Sequence, residues 1–176
     1  NVTLVEGVPS HLNRLLADRA IDVGPCSSIE YARHADRYRL MPEVVIGAAG
    51  PVRSILLIGR RPEELDGRRV GLTTASATSV VLLNILCRER WNVAPVFFAF
   101  DQQCDDPFRM GADAALFIGD VALRADLHRD LPARIDLAAE VGKGLFVVFK
   151  RALGHGFYSL LKRERSLYHA TGIFKD

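Results

Sequence analysis

Short apolar runs alternate with segments of helical spacing along this chain, and that alternation constrains the fold more than any other feature. The runs VRSILLIG, RVGLT, APVFFAF and GADAALFIG have the length and composition of β-strands. Helical patterns follow several of them, and DVALRADL is a short example. Chains that alternate strands and helices build parallel or mixed sheets with crossover helices, so we predict an α/β fold.

Further strands are expected where the chain is rich in β-branched or other apolar residues. These segments are residues 2–5, 21–24, 43–50, 134–138 and 143–153. The last of them is a continuous apolar run, as in parallel strands that are covered on both faces. Residues 156–176 have helical character.

Capping residues predict where two helices begin, and an apolar pattern predicts a third helix. Ser10 is the expected N-cap of the first helix. Ser27 and Glu30 have the spacing of a capping box, in which the Ser hydroxyl takes a free amide and the Glu reaches back to the cap. The strongest helical pattern covers residues 76–91 and is apolar almost all round, so we expect that helix to be buried.

Composition and charge exclude several classes of protein. With 49% hydrophobic and 25% charged residues the chain has the balance of a globular protein, and its 176 residues suit one domain or two small lobes. A net charge of +2 does not indicate nucleic-acid binding, and no apolar run reaches the roughly 20 residues of a membrane helix. The first residues, NVTLVEG, lack the features of a signal sequence, so we expect a cytoplasmic location.

The sequence gives little indication of a metal site, a redox-active cysteine pair or a phosphate-binding loop. Cys26, Cys87 and Cys104 are an odd number of cysteines without metal-ligand spacing, which is typical of reduced thiols. The five histidines are scattered, and the acidic turn of residues 101–106 lacks the spacing of a calcium loop. Neither a GxGxxG nor a GxxxxGKS/T loop occurs, and the GxSxG elbow of serine hydrolases is missing too. We predict no metal site.

The segment GLTTASATSVVLL places seven Thr, Ser and Ala residues between a strand and a helix. In α/β sheets a ligand lies at the carboxyl ends of strands, where loops lead into helices. DVGPCSSIEYA is a second segment of this kind. Small hydroxyl residues at a helix N-terminus let an anion approach the free amides, and they add donors of their own.

Two such helix starts in one chain indicate a ligand with two anionic groups. The candidate ligand-binding residues are Ser27 and Ser28 in the first start, and Ser76, Thr78 and Ser79 in the second. The alternative is helix capping alone, since Ser and Thr are common N-cap residues. Both interpretations stay open at this point.

Several segments, taken in order, resemble the menaquinone-biosynthesis chorismate dehydratases of the futalosine pathway. They are VEGVPSHLNRLLADRAIDVG, the run from DVGPCSSIEYA through GPVRS to GLTTASATSVVLLNIL, GADAALFIGDVAL and, more loosely, KGLFVVFKRAL. The resemblance implies a two-lobed fold like that of type II periplasmic binding proteins, with a cleft between the lobes, in a cytoplasmic enzyme. The expected division is residues 1–53 with 145–176 in lobe I and residues 54–144 in lobe II.

The resemblance also implies a reaction, in which chorismate loses water to give 3-[(1-carboxyvinyl)oxy]benzoate without a metal or an organic cofactor. Chorismate carries two carboxylates, which agrees with two anion-accepting helix starts. In the family an active-site Ser lies on the GPVxS strand, which is Ser54 here, and an Asn comes from an N-terminal segment. Ser54 is therefore the candidate catalytic residue, bonded to the departing hydroxyl or to the base. The side-chain carboxylate of the substrate is a candidate proton acceptor.

The chain departs from the family pattern at both ends. Relatives carry a Tyr and an Asn on a strand and turn that would precede Asn1, so we expect a first strand to be missing. The chain is also shorter around AAEVGKGLF, and its tail matches only at LYHATGIFKD. Activity of this shortened chain stays open.

Two rival functions remain. A non-catalytic solute-binding module for a small dicarboxylate would use the same lobes and helix starts. A related futalosine-pathway enzyme would act on cyclic dehypoxanthine futalosine, although its cleft motifs differ from SSIEYA and GPVxS. All three functions imply a small-molecule partner and neither nucleic acid nor membrane, and the oligomeric state is open.

Overall fold

The computed structural model describes residues 2–41, 51–128 and 132–141. Its strands are β1 (Ile55–Gly59), β2 (Arg69–Thr73), β3 (Val96–Phe100), β4 (Ala114–Ile118) and β5 (Ala133–Asp136). They form one sheet in the order β3-β2-β4-β1-β5. The sheet is mixed, because β2 runs parallel to β3 and β4 whereas β1 runs antiparallel to β4 and β5.

The helices are α1 (Pro9–Ala17), α2 (Ser28–Arg33), α3 (Ala77–Ile85), α4 (Gly119–His128) and α5 (Leu137–Glu140). A 3-10 turn at Pro62–Glu64 joins β1 to β2, and a π-helical turn at Leu86–Arg90 extends α3. Helices follow β2, β4 and β5, whereas β3 leads to β4 through a loop without a helix. The sheet together with these helices confirms the predicted α/β class. In the part of the chain described here, no helix has the length and apolar character needed to cross a membrane.

The apolar core lies on both faces of the sheet, because alternate residues of a strand point to opposite sides. Leu57 and Leu116 belong to a cluster that α3 covers, and Ile58 and Phe117 belong to a second cluster that includes part of α4. Leu83 of α3 is fully buried. The prediction of a buried helix after the Thr- and Ser-rich segment is confirmed.

Two predicted strands are wrong. Residues 2–5 and 21–24 form no strand, and Val2 and Leu4 are 97% and 83% exposed. Residues with high β-propensity form a strand only when a neighbouring strand takes their backbone hydrogen bonds, and among the described residues neither segment has one. The predicted strands at 43–50 and 143–153 and the predicted helix at 156–176 lie outside the described residues.

The predicted cap of α1 is wrong, and the predicted cap of α2 is confirmed. Helix α1 begins at Pro9 with Val8 as its N-cap, so Ser10 lies inside the first turn instead of capping it; proline suits this first helical position. Ser27 does cap α2, since its Oγ accepts from the amide of Glu30. The reciprocal half of the capping box is wrong, because the amide of Ser27 donates to Asn13 Oδ1 at 3.1 Å.

The division into two lobes stays a prediction. The whole described sheet lies between residues 55 and 136, inside the segment assigned to lobe II. Helices α1 and α2 precede it in the sequence, and α2 packs against α3. Residues 145–176, assigned to lobe I, lie outside the described residues.

Candidate functional site

The carboxyl end of β2 and the amino end of β1 lie at the same edge of the sheet, one on each side of β4. Leu72 of the parallel strand β2 pairs with Leu116, and Ile55 of the antiparallel strand β1 pairs with Ile118. Ser54 and the turn after β2 are therefore two strand spacings apart, or roughly 10 Å. We call this side of the sheet, with Ser54, residues 73–79 and Gly119, the site edge.

Ser54 occupies a half-buried bend just before β1, not the strand itself. Its carbonyl accepts from the amide of Gly119 at 2.8 Å, and the amide of Arg53 donates to Asp136 Oδ2 at 2.7 Å. Arg53 has a φ of 56°, a left-handed conformation that side chains other than glycine rarely adopt. Three strands thus hold the backbone around Ser54 in an unusual bend. Among the described residues, the Ser54 hydroxyl itself has no hydrogen-bond partner.

Ser76 and Ser79 bond to each other at the start of α3. Ser76 is the N-cap: its Oγ accepts from the amide of Ser79 at 3.2 Å and donates to Ser79 Oγ at 2.9 Å. Both side chains are buried. These two hydroxyls therefore serve as internal caps, which is the alternative that the sequence left open.

Thr78 joins the two helix starts. Its Oγ1 accepts from the amide of Ile29, in the first turn of α2, at 3.4 Å. Ser27 Oγ accepts from the amide of Glu30 at 3.3 Å and from Asn13 Nδ2 at 2.8 Å. The structure thus brings the two predicted helix starts together, and it uses the hydroxyls of Thr78 and Ser27 to do so.

Few donors remain for a ligand at these helix starts. In α2 the amides of Ile29 and Glu30 are already bonded to hydroxyls, whereas Ser28 is exposed and its hydroxyl has no partner among the described residues. In α3 the cap occupies the amide of Ser79. The amides of Ala77 and Thr78 precede it, at the positions where a helix has no internal acceptors.

Asn13 and Gln102 were not identified from the sequence as parts of this site. Both are buried side-chain amides, at 4% and 9% exposure. Asn13 holds the amide and the hydroxyl of Ser27, and Gln102 bonds to Thr73 and to the backbone of Ile118. A single amide residue in a helix or a loop carries no sequence signal for such contacts, so only the tertiary structure could reveal them.

The cysteines take no part in this arrangement as nucleophiles. Burial raises the pKa of Cys26, next to the start of α2, to about 11, and the negative charge of Glu30 acts in the same direction. Burial alone raises the pKa of Cys87 to about 12. All three cysteines, including the exposed Cys104, are free thiols. A thiol with so high a pKa is protonated near pH 7 and reacts slowly.

The charged side chains of the described residues do not gather into a metal centre. No group of three His, Cys, Asp or Glu residues in this part of the chain is placed to bind a metal ion. The ion pair between Arg60 Nε and Asp113 Oδ1, at 2.6 Å, lies at the sheet edge opposite to the site edge. There, with Gly59 and Phe108, it lines a shallow groove.

Comparison with known proteins adds two findings. The chain is 34% identical over 124 residues to the chorismate dehydratase of Thermus thermophilus, a match that covers 69% of this chain and 44% of that relative. The chain therefore spans less than half of the length of the curated relative that it matches. A family model described as menaquinone biosynthesis matches residues 1–140, which include all the candidate site residues. The chain belongs to this menaquinone biosynthesis family.

Proposed function

We propose that the chain is a chorismate dehydratase, a hydro-lyase that converts chorismate to 3-[(1-carboxyvinyl)oxy]benzoate in menaquinone biosynthesis. One observation carries the proposal: Ser54 and the Thr- and Ser-rich turn lie at one sheet edge, on opposite sides of β4. The relative named chorismate dehydratase supports the choice of substrate. The match spans 44% of that relative, so the activity is proposed for this chain by similarity.

The reaction breaks one C–H bond and one C–O bond at neighbouring carbons of the cyclohexadiene ring, and the ring itself stays intact. The carbon that bears the enolpyruvyl ether loses its proton, and the neighbouring carbon loses its hydroxyl, so one water leaves. The proton is acidic because the resulting carbanion is conjugated through the ring alkene to the ring carboxylate. The electron pair of the broken C–H bond becomes the double bond that completes the aromatic ring, and this aromatisation drives the step.

The chain's task in this reaction is to orient the ring and to stabilise charge. We assign to Ser54 the hydrogen bond to the departing hydroxyl. We assign one substrate carboxylate to the amides of Ala77 and Thr78 at the start of α3, with the Ser28 hydroxyl as a further donor. In this scheme the side-chain carboxylate of the substrate accepts the ring proton and passes it to the departing hydroxyl, which leaves as water, so the protein needs no basic residue there.

Ser27, Ser76 and Ser79 have a supporting role in this proposal. Their hydroxyls are bonded within the protein, where they shape the two helix starts. The sequence predicted that these three residues contact the substrate directly. We propose instead that they hold the two helix starts in place, while Ser28 and the amides of α3 contact the substrate.

We also propose that the protein has a cleft between two lobes and that it is located in the cytoplasm. The amide of Ser10 in α1 donates to the carbonyl of Ala75 at 3.2 Å, so a residue assigned to lobe I contacts the turn after β2 in lobe II. A cleft at this contact would include the site edge. The free thiols of the chain support a reducing compartment.

The test is incubation of the protein with chorismate. The proposal expects the absorbance of an aromatic product and the loss of one water by mass spectrometry. Calorimetric titration with chorismate separates the rivals. Binding without product would indicate a solute-binding module, whereas neither binding nor product would favour the enzyme that acts on cyclic dehypoxanthine futalosine.

A further inference from the structure

Gln102, in the loop after β3, binds the ends of two strands with one buried side chain. Its Oε1 accepts from Thr73 Oγ1 at 3.0 Å and from the amide of Ile118 at 3.0 Å. Its Nε2 donates to the carbonyl of Ile118 at 3.1 Å. The side chain therefore pairs with β4 as a strand backbone would, and it holds the last residue of β2 at the same time.

These bonds belong to a continuous path across the site edge. Thr73 Oγ1 also accepts from the amide of Ala75, in the turn before α3, at 3.2 Å. On the other side, Gly119 follows Ile118 directly, and its amide donates to the carbonyl of Ser54 at 2.8 Å. Gln102 is the link between the turn and the bend that holds Ser54.

We propose that Gln102 is a positioning residue for the dehydration, because it sets the distance between Ser54 and the start of α3. The inference rests on the proposed function and extends it to a residue outside the predicted set. A primary amide offers an acceptor and a donor in one plane, and the backbone of Ile118 requires both. An apolar side chain would leave these partly buried backbone groups unpaired, so the two strand ends would move apart to find water.

The test compares Gln102→Leu and Gln102→Glu with the unmodified protein, with Asn84→Leu as the matched control. Asn84 is exposed on α3, and within the described part of the chain its side-chain amide bonds only to the carbonyl of Val80 in the same helix. We expect Gln102→Leu to lose roughly 100-fold in kcat, the scale of a misplacement of about 1 Å. Gln102→Glu keeps the acceptor and loses the donor, so its kcat should lie between the kcat of Gln102→Leu and that of the unmodified protein. Asn84→Leu should keep kcat and KM.

Two measurements keep a positioning role apart from a purely structural one. A folded Gln102→Leu protein with kcat and KM within about twofold of the unmodified protein would overturn the proposal, even if its Tm were lower. Hydrogen exchange gives a readout that needs no substrate: the amides of Ala75 and Gly119 should exchange faster in Gln102→Leu, while that of Leu57 in β1 should not. Unchanged exchange at Ala75 and Gly119 overturns the positioning role whatever the activity. If the unmodified protein does not turn over chorismate, the proposed function is overturned, and the exchange of Ala75 and Gly119 still decides whether Gln102 holds the two strand ends.

Discussion

The amide of Ile29 donates to Thr78 Oγ1 at 3.4 Å, so a hydroxyl at the start of α3 caps the start of α2. This contact explains part of the unusual run of small hydroxyls after β2. The run caps its own helix through Ser76 and a second helix through Thr78. The two helix starts are adjacent, as a small dicarboxylate requires, but most of the hydroxyls there already bond within the protein.

Thr78→Val should destabilise the protein by about 1–2 kcal/mol. The substitution keeps the shape of the side chain and removes the acceptor, so the amide of the fully buried Ile29 loses its partner. Urea unfolding measures the change. The exposed Thr3→Val is the matched control, and an equal stability of the two variants would show that the contact contributes nothing.

Ser54→Ala should lower kcat by roughly 100-fold, as expected when one donor to a developing charge is removed. The free energy of unfolding should stay within about 0.5 kcal/mol, because the hydroxyl has no partner among the described residues. Absorbance of the aromatic product gives kcat, and urea unfolding gives the stability. Glu63→Gln, exposed at the opposite edge of the sheet, is the control for activity. Turnover by Ser54→Ala near that of the control would remove Ser54 from the mechanism.

Asn13→Leu should destabilise the protein by about 2 kcal/mol or more, because it removes both bonds to Ser27 in a buried place. The amide of Ser27 would lose its acceptor, and α2 would be held less firmly against α1. Thermal unfolding measures the effect against Asn84→Leu, which removes an exposed amide. A Tm equal to that of the control would contradict this role of Asn13.

Asp113→Asn should reduce the amount by which the free energy of unfolding falls as the pH is lowered. Partial burial favours the neutral carboxyl, but hydrogen bonds from the Arg69 amide and the Arg60 side chain outweigh it and lower the pKa of Asp113 below its ordinary value of 3.8. A lowered pKa contributes stability that is present above the unfolded value and is lost as pH falls through the folded value. Urea unfolding between pH 6 and about pH 3 should therefore show a smaller loss in Asp113→Asn than in the unmodified protein.

Exposed Asp120→Asn is the control for this titration. The free energy of unfolding of Asp113→Asn could fall with decreasing pH as steeply as that of Asp120→Asn and of the unmodified protein. The interaction of Asp113 with the two arginines would then have no effect on stability in acid.

Local patterns predicted the elements that depend on near neighbours. The apolar runs at β1 to β4 became strands, and the helical pattern that begins at Ser76 became α3, because both patterns depend on residues close together in the chain. Residues 2–5 show the limit of such patterns. Their β-rich composition predicted a strand, yet a strand needs a partner that is distant in sequence.

The sequence by itself determined that this chain alternates strands and helices, that hydroxyl residues open two of its helices, and that it resembles one family. Only the tertiary structure decided which strand ends meet. Because β1 pairs antiparallel with β4 while β2 pairs parallel with it, the start of β1 and the end of β2 share one edge, where Ser54 and the turn before α3 both lie. Strand direction and the contacts of Gln102 depend on hydrogen bonds between residues far apart in the chain, and no local pattern records them.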